Sequence, residues 1–191
     1  MDPIALHQRG VDVSDRLVRG IADDRWSAPT PCADWDVRDL VAHLVDEHAW
    51  VPPLLDGRTV AEVGEVDAEL GDDPVARHAE VAAAAQAAVV APGALGRTVH
   101  LSFGDVPGSF YVLQRVADLV IHSWDLAVAT DQALDLDDEL VQAAWDATAP
   151  HVTPEVRAAG IFGPEVPVPE DAPLLDRLLG LTGRDPAHGR G

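Results

Sequence analysis

The apolar positions of this chain fall mostly at helical spacing. Over residues 2–22, Ile4, Ala5, Val11, Val13, Leu17, Val18 and Ile21 line one side, which predicts a first amphipathic helix. Residues 23–34, with Pro29 and Pro31, read as a loop. Asp36, followed three residues on by Asp39, has the form of an N-cap with an approximate capping box, and Trp35 is placed to staple onto Leu40. The second helix, residues 37–51, turns Val37, Leu40, Val41, Leu44, Val45 and Val51 to one face and Asp36, Asp39, His43, Asp46 and Glu47 to the other; Pro52 and Pro53 are expected to stop it. Residues 54–73 are acidic and weakly periodic, a long crossover with one turn of helix. Asp73 and Pro74 open a third helix reaching residue 90, whose AEVAAAAQAA run lets neighbours come close.

Val99, Leu101 and Phe103 alternate with polar residues, a short strand over residues 98–103, and residues 104–108 turn the chain into the next helix. Residues 115–130, RVADLVIHSWDLAVAT, are apolar nearly all round, as in a helix at the centre of a domain. A fifth helix over 138–148 is capped by Asp137, a proline-rich wrap without regular structure covers 151–171, a short helix ends at Leu181, and 184–191 reads as a disordered tail. Long amphipathic helices joined by one long crossover predict an all-α helical bundle over residues 1–150, with 151–191 as an extension packed on it.

One polar stripe breaks the central helix. Arg115, Asp118, His122 and Asp125 share a face by their i, i+3, i+4, i+7 spacing. Asp118 and His122 lie one turn apart, so a carboxylate and an imidazole can converge on one cation. With His43 on the second helix they make a two-histidine, one-carboxylate set that leaves a coordination position open. Zinc suits it, and so do iron and nickel. The spacing leaves rivals: His43 with Glu47, or His122 with Asp125. Asp125 also suits the role of accepting the free N–H of a ligand histidine. The same stripe equally reads as the wet side of the helix.

The other candidates are weaker. His48 and His78 read as single exposed histidines near helix ends, and His7, His100, His151 and His188 stand without partners at ligand spacing. Cys32 reads as an inert thiol in a proline loop, and as the chain's single cysteine it excludes an internal disulfide and suits a reducing compartment. The five tryptophans read as core and staple. No G-x-S-x-G, phosphate-binding glycine loop, H-E-x-x-H or C-x-x-C occurs.

The 191 residues suffice for one ordinary core, and 47% hydrophobic content is that of a globular chain. A net charge of −20 argues against nucleic acid or an anionic membrane as partner. All 13 basic residues are arginine, a coding bias before it is a functional signal. With no signal-peptide pattern and no membrane-length apolar run, the expected location is the cytoplasm.

TPCADWDVRDLVAHLVDEH (residues 30–48) together with DLVIHSWDLAVATDQ (residues 118–132) resembles the metal-binding domain of the mycothiol-dependent maleylpyruvate isomerase family, in the DinB-like helical bundle superfamily. RAAGIFGPEVPVPEDAPLLDRLLGLTGRDP (residues 157–186) resembles the tail of one uncharacterised branch of that family. The resemblance implies an up-down-down-up four-helix bundle with a metal held by a histidine of the second helix and a carboxylate-x-x-x-histidine of the fourth. These fall on His43, Asp118 and His122. Asp118 stands where the characterised isomerase has glutamate; the shorter side chain still ligates but draws the metal toward its own helix. Where that isomerase has an additional C-terminal domain, this chain reads as a proline-rich wrap and one short helix.

The resemblance thus implies a divalent-metal enzyme that uses a low-molecular-weight thiol, of the mycothiol S-transferase or isomerase type, with an electrophilic small molecule as second substrate. Asp125 or Glu47 would orient the ligands. A homodimer is compatible with the sequence. Two other readings stand beside this one: a metal-binding module of the same fold without catalysis, and a helical interaction domain whose polar stripes face solvent.

Overall fold

The computed structural model describes residues 2–189. Its helices are α1 (Pro3–Arg19), α2 (Val37–Leu55), α3 (Val60–Val63), α4 (Pro74–Val89), α5 (Gly108–Thr130), α6 (Asp138–Thr148), α7 (Pro154–Ala158) and α8 (Leu174–Leu181), with one hairpin of β1 (Thr98–Leu101) and β2 (Gly104–Pro107). The four long helices α1, α2, α4 and α5 form an up-down-down-up bundle, as expected, in which α2 packs on α4 and α1 on α5. The long connection between α2 and α4 carries only the single turn α3. α5 is the central rod: 17 of its 23 residues are buried, and it is flanked by α1, α2 and α6. Gly10 permits the closest approach, since a Cβ there would stand 3.2 Å from Leu119 Cδ1.

Local chemistry starts the helices where the sequence marks them. Asp36 accepts from the Asp39 N–H and Asp39 returns the bond to Asp36, a complete capping box. Asp73 and Asp137 cap α4 and α6. The hairpin pairs Val99 with Val106, and Val99 closes one end of the core against Leu55, Val89 and Tyr111.

Four expectations are corrected. α2 does not stop at Pro52 and Pro53 but continues through both to Leu55. Leu54 and Leu55 are buried, and the last turn closes with Pro52 supplying a carbonyl to the Asp56 N–H, so only donors are lost. The turn expected over residues 104–108 is instead the second strand of the hairpin, β2, and α5 follows it directly at Gly108, with Tyr111 and Val112 packed under the hairpin. The wrap contains the short helix α7. The segment after α8 is ordered from Arg184 to Gly189: Arg184 is 9% exposed, and Pro186–Gly189 forms a 3-10 turn. Residues 190–191 of the expected tail lie outside the described residues. Among the described residues, no helix is long and apolar enough to cross a membrane.

Candidate metal centre

The polar stripe of α5 faces inward. Arg115 and His122 are each 7% exposed and Asp125 is fully buried, so the stripe is not the wet side of the helix. His43 of α2 comes across to meet it. The Nε2 atoms of His43 and His122 lie 3.5 and 3.4 Å from the same atom, Asp118 Oδ1. The ligand atoms of these three side chains all fall within 4.8 Å of one another. The Trp35 ring lies against both imidazoles, with centroids 4.9 Å from His43 and 5.9 Å from His122. The tryptophan expected only as core or staple thus forms a wall of this site.

The remaining polar atoms are tied back. Asp118 Oδ2 accepts from Arg115 Nη2 at 2.8 Å, and Arg115 also donates to Glu47. His122 Nδ1 lies 2.9 Å from Asp125 Oδ2 and donates to it. Glu47 therefore reaches the group through Arg115, while Asp125 touches a candidate ligand directly. Burial opposes the Asp118 charge, but the Arg115 guanidinium and then the His122 imidazole hold its carboxyl well below the usual carboxylate range. Burial likewise opposes a charge on His122, but Asp118 and the hydrogen bond to Asp125 prevail and raise it to about 9.

The donor set fits a divalent cation. Two metal bonds of the usual length at a tetrahedral angle separate their donor atoms by roughly 3.4 Å, close to the spacing of both imidazoles from Asp118 Oδ1. Each donor's other polar atom that meets a partner, Asp118 Oδ2 and His122 Nδ1, is held by hydrogen bonds that aim the free atom at the same point.

Other histidines are placed differently from expectation. His48 and His78 are buried, at 2% and 0% exposure, and with fully buried His7 they form a second histidine group between α1, α2 and α4. No local spacing marks this group, because each member comes from a different helix. His100 pairs with Asp105 across the hairpin at 2.7 Å, and His188 lies 3.7 Å from Asp185. Cys32 is half-buried, with Sγ 3.9 Å from Arg184 Nη2; burial pushes its thiol up, partly offset by Arg184. Sequence reasoning missed Arg184 entirely, and no motif or spacing announces it.

Fold and donor set together define a class: a helical bundle presenting a two-histidine, one-carboxylate group between its long helices. Residues 7–127 match the family model described as the mycothiol maleylpyruvate isomerase N-terminal domain, and the chain belongs to that family. It is 37% identical over 185 residues to the uncharacterized proteins MT0763 and Rv0738 of Mycobacterium tuberculosis strains CDC 1551 and H37Rv, covering 96% of this chain and 98% of each relative. Its fold is similar to the crystal structures of mycothiol-dependent maleylpyruvate isomerase and of a histidine-to-alanine mutant of it. Their TM-scores are 0.61 and 0.62 at 17% and 16% identity, covering 86% of this chain and 73% of each of those chains.

Proposed function

We propose that this protein is a divalent-metal-dependent enzyme using a low-molecular-weight thiol, of the mycothiol S-transferase or isomerase type, with His43, Asp118 and His122 as the metal ligands. The observation that carries this reading is the convergence of two Nε2 atoms and one carboxylate oxygen on a single point, with Arg115 and Asp125 fixing Asp118 and His122 from behind. Family membership supplies the thiol, and the ligand set takes zinc first, with nickel or iron also suited. In this reading residues 1–150 are the metal-binding bundle and the rest of the chain is its extension.

A bound cation would lower the pKa of a thiol or water at its open position, so that a thiolate or hydroxide exists near neutral pH. The protein's own contribution is geometric and electrostatic. Arg115 keeps Asp118 ionised and turned toward the two histidines, Asp125 keeps the His122 proton on Nδ1, and Trp35 packs its ring against both imidazoles. In this reading the thiolate sulfur would add to an activated double bond, the π pair would move to the adjacent carbon, and that carbon would take a proton from water.

The alternative is a metal-binding module of the same fold without catalysis. Elemental analysis of wild type beside His43→Ala, followed by calorimetric titration with mycothiol, separates the readings. About one metal per chain, lost in the variant, with mycothiol binding only to the metal form, is the expected result. Metal without thiol binding leaves a metal-binding module, and wild type without metal overturns both.

A further inference from the structure

His122 is oriented by Asp125, and Asp125 is itself held from the far end of the chain. Arg184 Nη2 donates to Asp125 Oδ2 at 2.9 Å and Arg184 Nε to Oδ1 at 3.3 Å, a two-point contact on a carboxylate with no solvent exposure. The path that brings Arg184 there is built into the backbone. Its N–H donates to Leu179 O at 2.8 Å, and its Nη1 returns to Thr182 O at 3.0 Å. Gly183, at φ +89°, makes the reversal out of α8, and a Cβ on it would come within 2.9 Å of Gly163. Arg157 Nη2 closes the end of α8 by donating to Leu181 O at 2.7 Å.

A buried carboxylate without a counter-charge is strongly unfavourable, and one imidazole N–H gives it a single directed bond. Arg184 supplies the charge and the remaining hydrogen bonds, which lets Asp125 keep one fixed orientation toward His122 Nδ1. We propose that Arg184 is a positioning residue of the metal centre: the C-terminal segment latches a guanidinium onto Asp125, and through Asp125 fixes the tautomer and rotamer of His122. The inference rests on the ligand assignment of His43, Asp118 and His122. It makes the segment after α8 part of the site rather than a trailing end.

The test compares wild type with Arg184→Gln, Arg184→Lys and Arg177→Gln. The last removes the cation that α8 sets over the Trp145 ring, 4.8 Å from its centroid, and loosens α8 without touching Asp125. Zinc affinity is measured by chelator competition, cobalt-loaded protein by its visible spectrum, and the metal-free protein by the exchange rate of the His122 Nδ1 proton. Arg184→Gln is expected to weaken zinc about 10- to 100-fold, shift the cobalt bands and speed that exchange. Arg184→Lys should recover part of each, and Arg177→Gln should match wild type. Affinity within about twofold of wild type and an unmoved cobalt spectrum in Arg184→Gln would overturn the proposal while leaving the ligand assignment intact. Equal losses in Arg177→Gln would also overturn it, by showing a general loosening of the segment. A wild type that takes up no zinc removes the ligand assignment and the latch together.

Discussion

α2 carries two histidines five residues apart that enter opposite environments. His43 meets Asp118 and His122 at the inner face of α5, where every charge has a fixed counterpart. His48 lies between His7 and His78, with ring centroids 6.4 and 5.4 Å away, and neither of its nitrogens has a protein hydrogen-bond partner. His7 Nδ1 donates to Gln86 Oε1 at 2.6 Å, and Ser14 Oγ lies 3.2 Å from His78 Nε2. The carboxylate nearest this second group is Asp15, 3.6 Å from His78. Burial therefore wins outright there: it lowers His7 to about 4, outweighing the Gln86 hydrogen bond, and lowers His48 and His78 as well. At the first group the same burial loses to Asp118 and Asp125, and His122 rises. What separates a candidate metal ligand from a core histidine in this bundle is a carboxylate oxygen shared with a second imidazole, not depth: His78 also faces a carboxylate, Asp15, but faces it alone.

The largest effect that tests this contrast comes from two substitutions on one helix. His43→Leu should remove stoichiometric metal, because it takes away one of three donors. His48→Leu should leave metal at about one per chain and change stability by less than about 1 kcal/mol, since it exchanges two unpartnered buried nitrogens for apolar volume. Elemental analysis and urea unfolding of the two variants decide the matter. Metal loss in His48→Leu would mean that the two groups act as one.

Acid gives the second test. Each histidine of the His7 group has a native pKa below its ordinary value, so below about pH 6.5 the unfolded chain binds protons that the native state does not. Their contribution is fully present above that pH and is lost as the pH falls toward the native pKa. For His7, at about 4, the loss between pH 7 and pH 5 is about 2 kcal/mol. His7→Gln should flatten the pH dependence of unfolding free energy by that amount in metal-free protein. An unchanged slope would show that His7 is not held neutral.

This contrast also explains what the sequence made legible. His43, Asp118, His122 and Asp125 could be read because three of them repeat along one helix and the fourth lies on the polar face of another. The helix boundaries marked by Asp36, Asp73 and Asp137 were legible because capping is local. His7, His48 and His78 were not, since their association depends on how three helices are juxtaposed and each comes from a different helix. Arg184 was hidden by the same physics: its partner Asp125 is brought near by the path of the wrap and α8, and the flanking residues resemble a free tail. Pro52 and Pro53 misled for the opposite reason. A local rule was correct about lost donors, but the burial of Leu54 and Leu55 outweighed it.

The smallest effect sharpens the comparison most, because it changes the carboxylate without removing it. Asp118→Glu adds one methylene to the side chain whose Oδ1 faces both imidazoles and whose Oδ2 is held by Arg115. The longer chain can reach the same point, and Arg115 carries further donors with which to follow it. Metal should stay at about one per chain, with affinity changed by less than about tenfold, or about 1.4 kcal/mol. Chelator competition beside wild type measures it. Complete loss of metal would mean that the Arg115 contact, and not merely a carboxylate within reach, sets the site. It would also place the decisive difference between the two histidine groups on the burial of that arginine, since Asp15 beside His78 is held as well, but by the exposed Arg19, whose Nε lies 2.7 Å from Asp15 Oδ2.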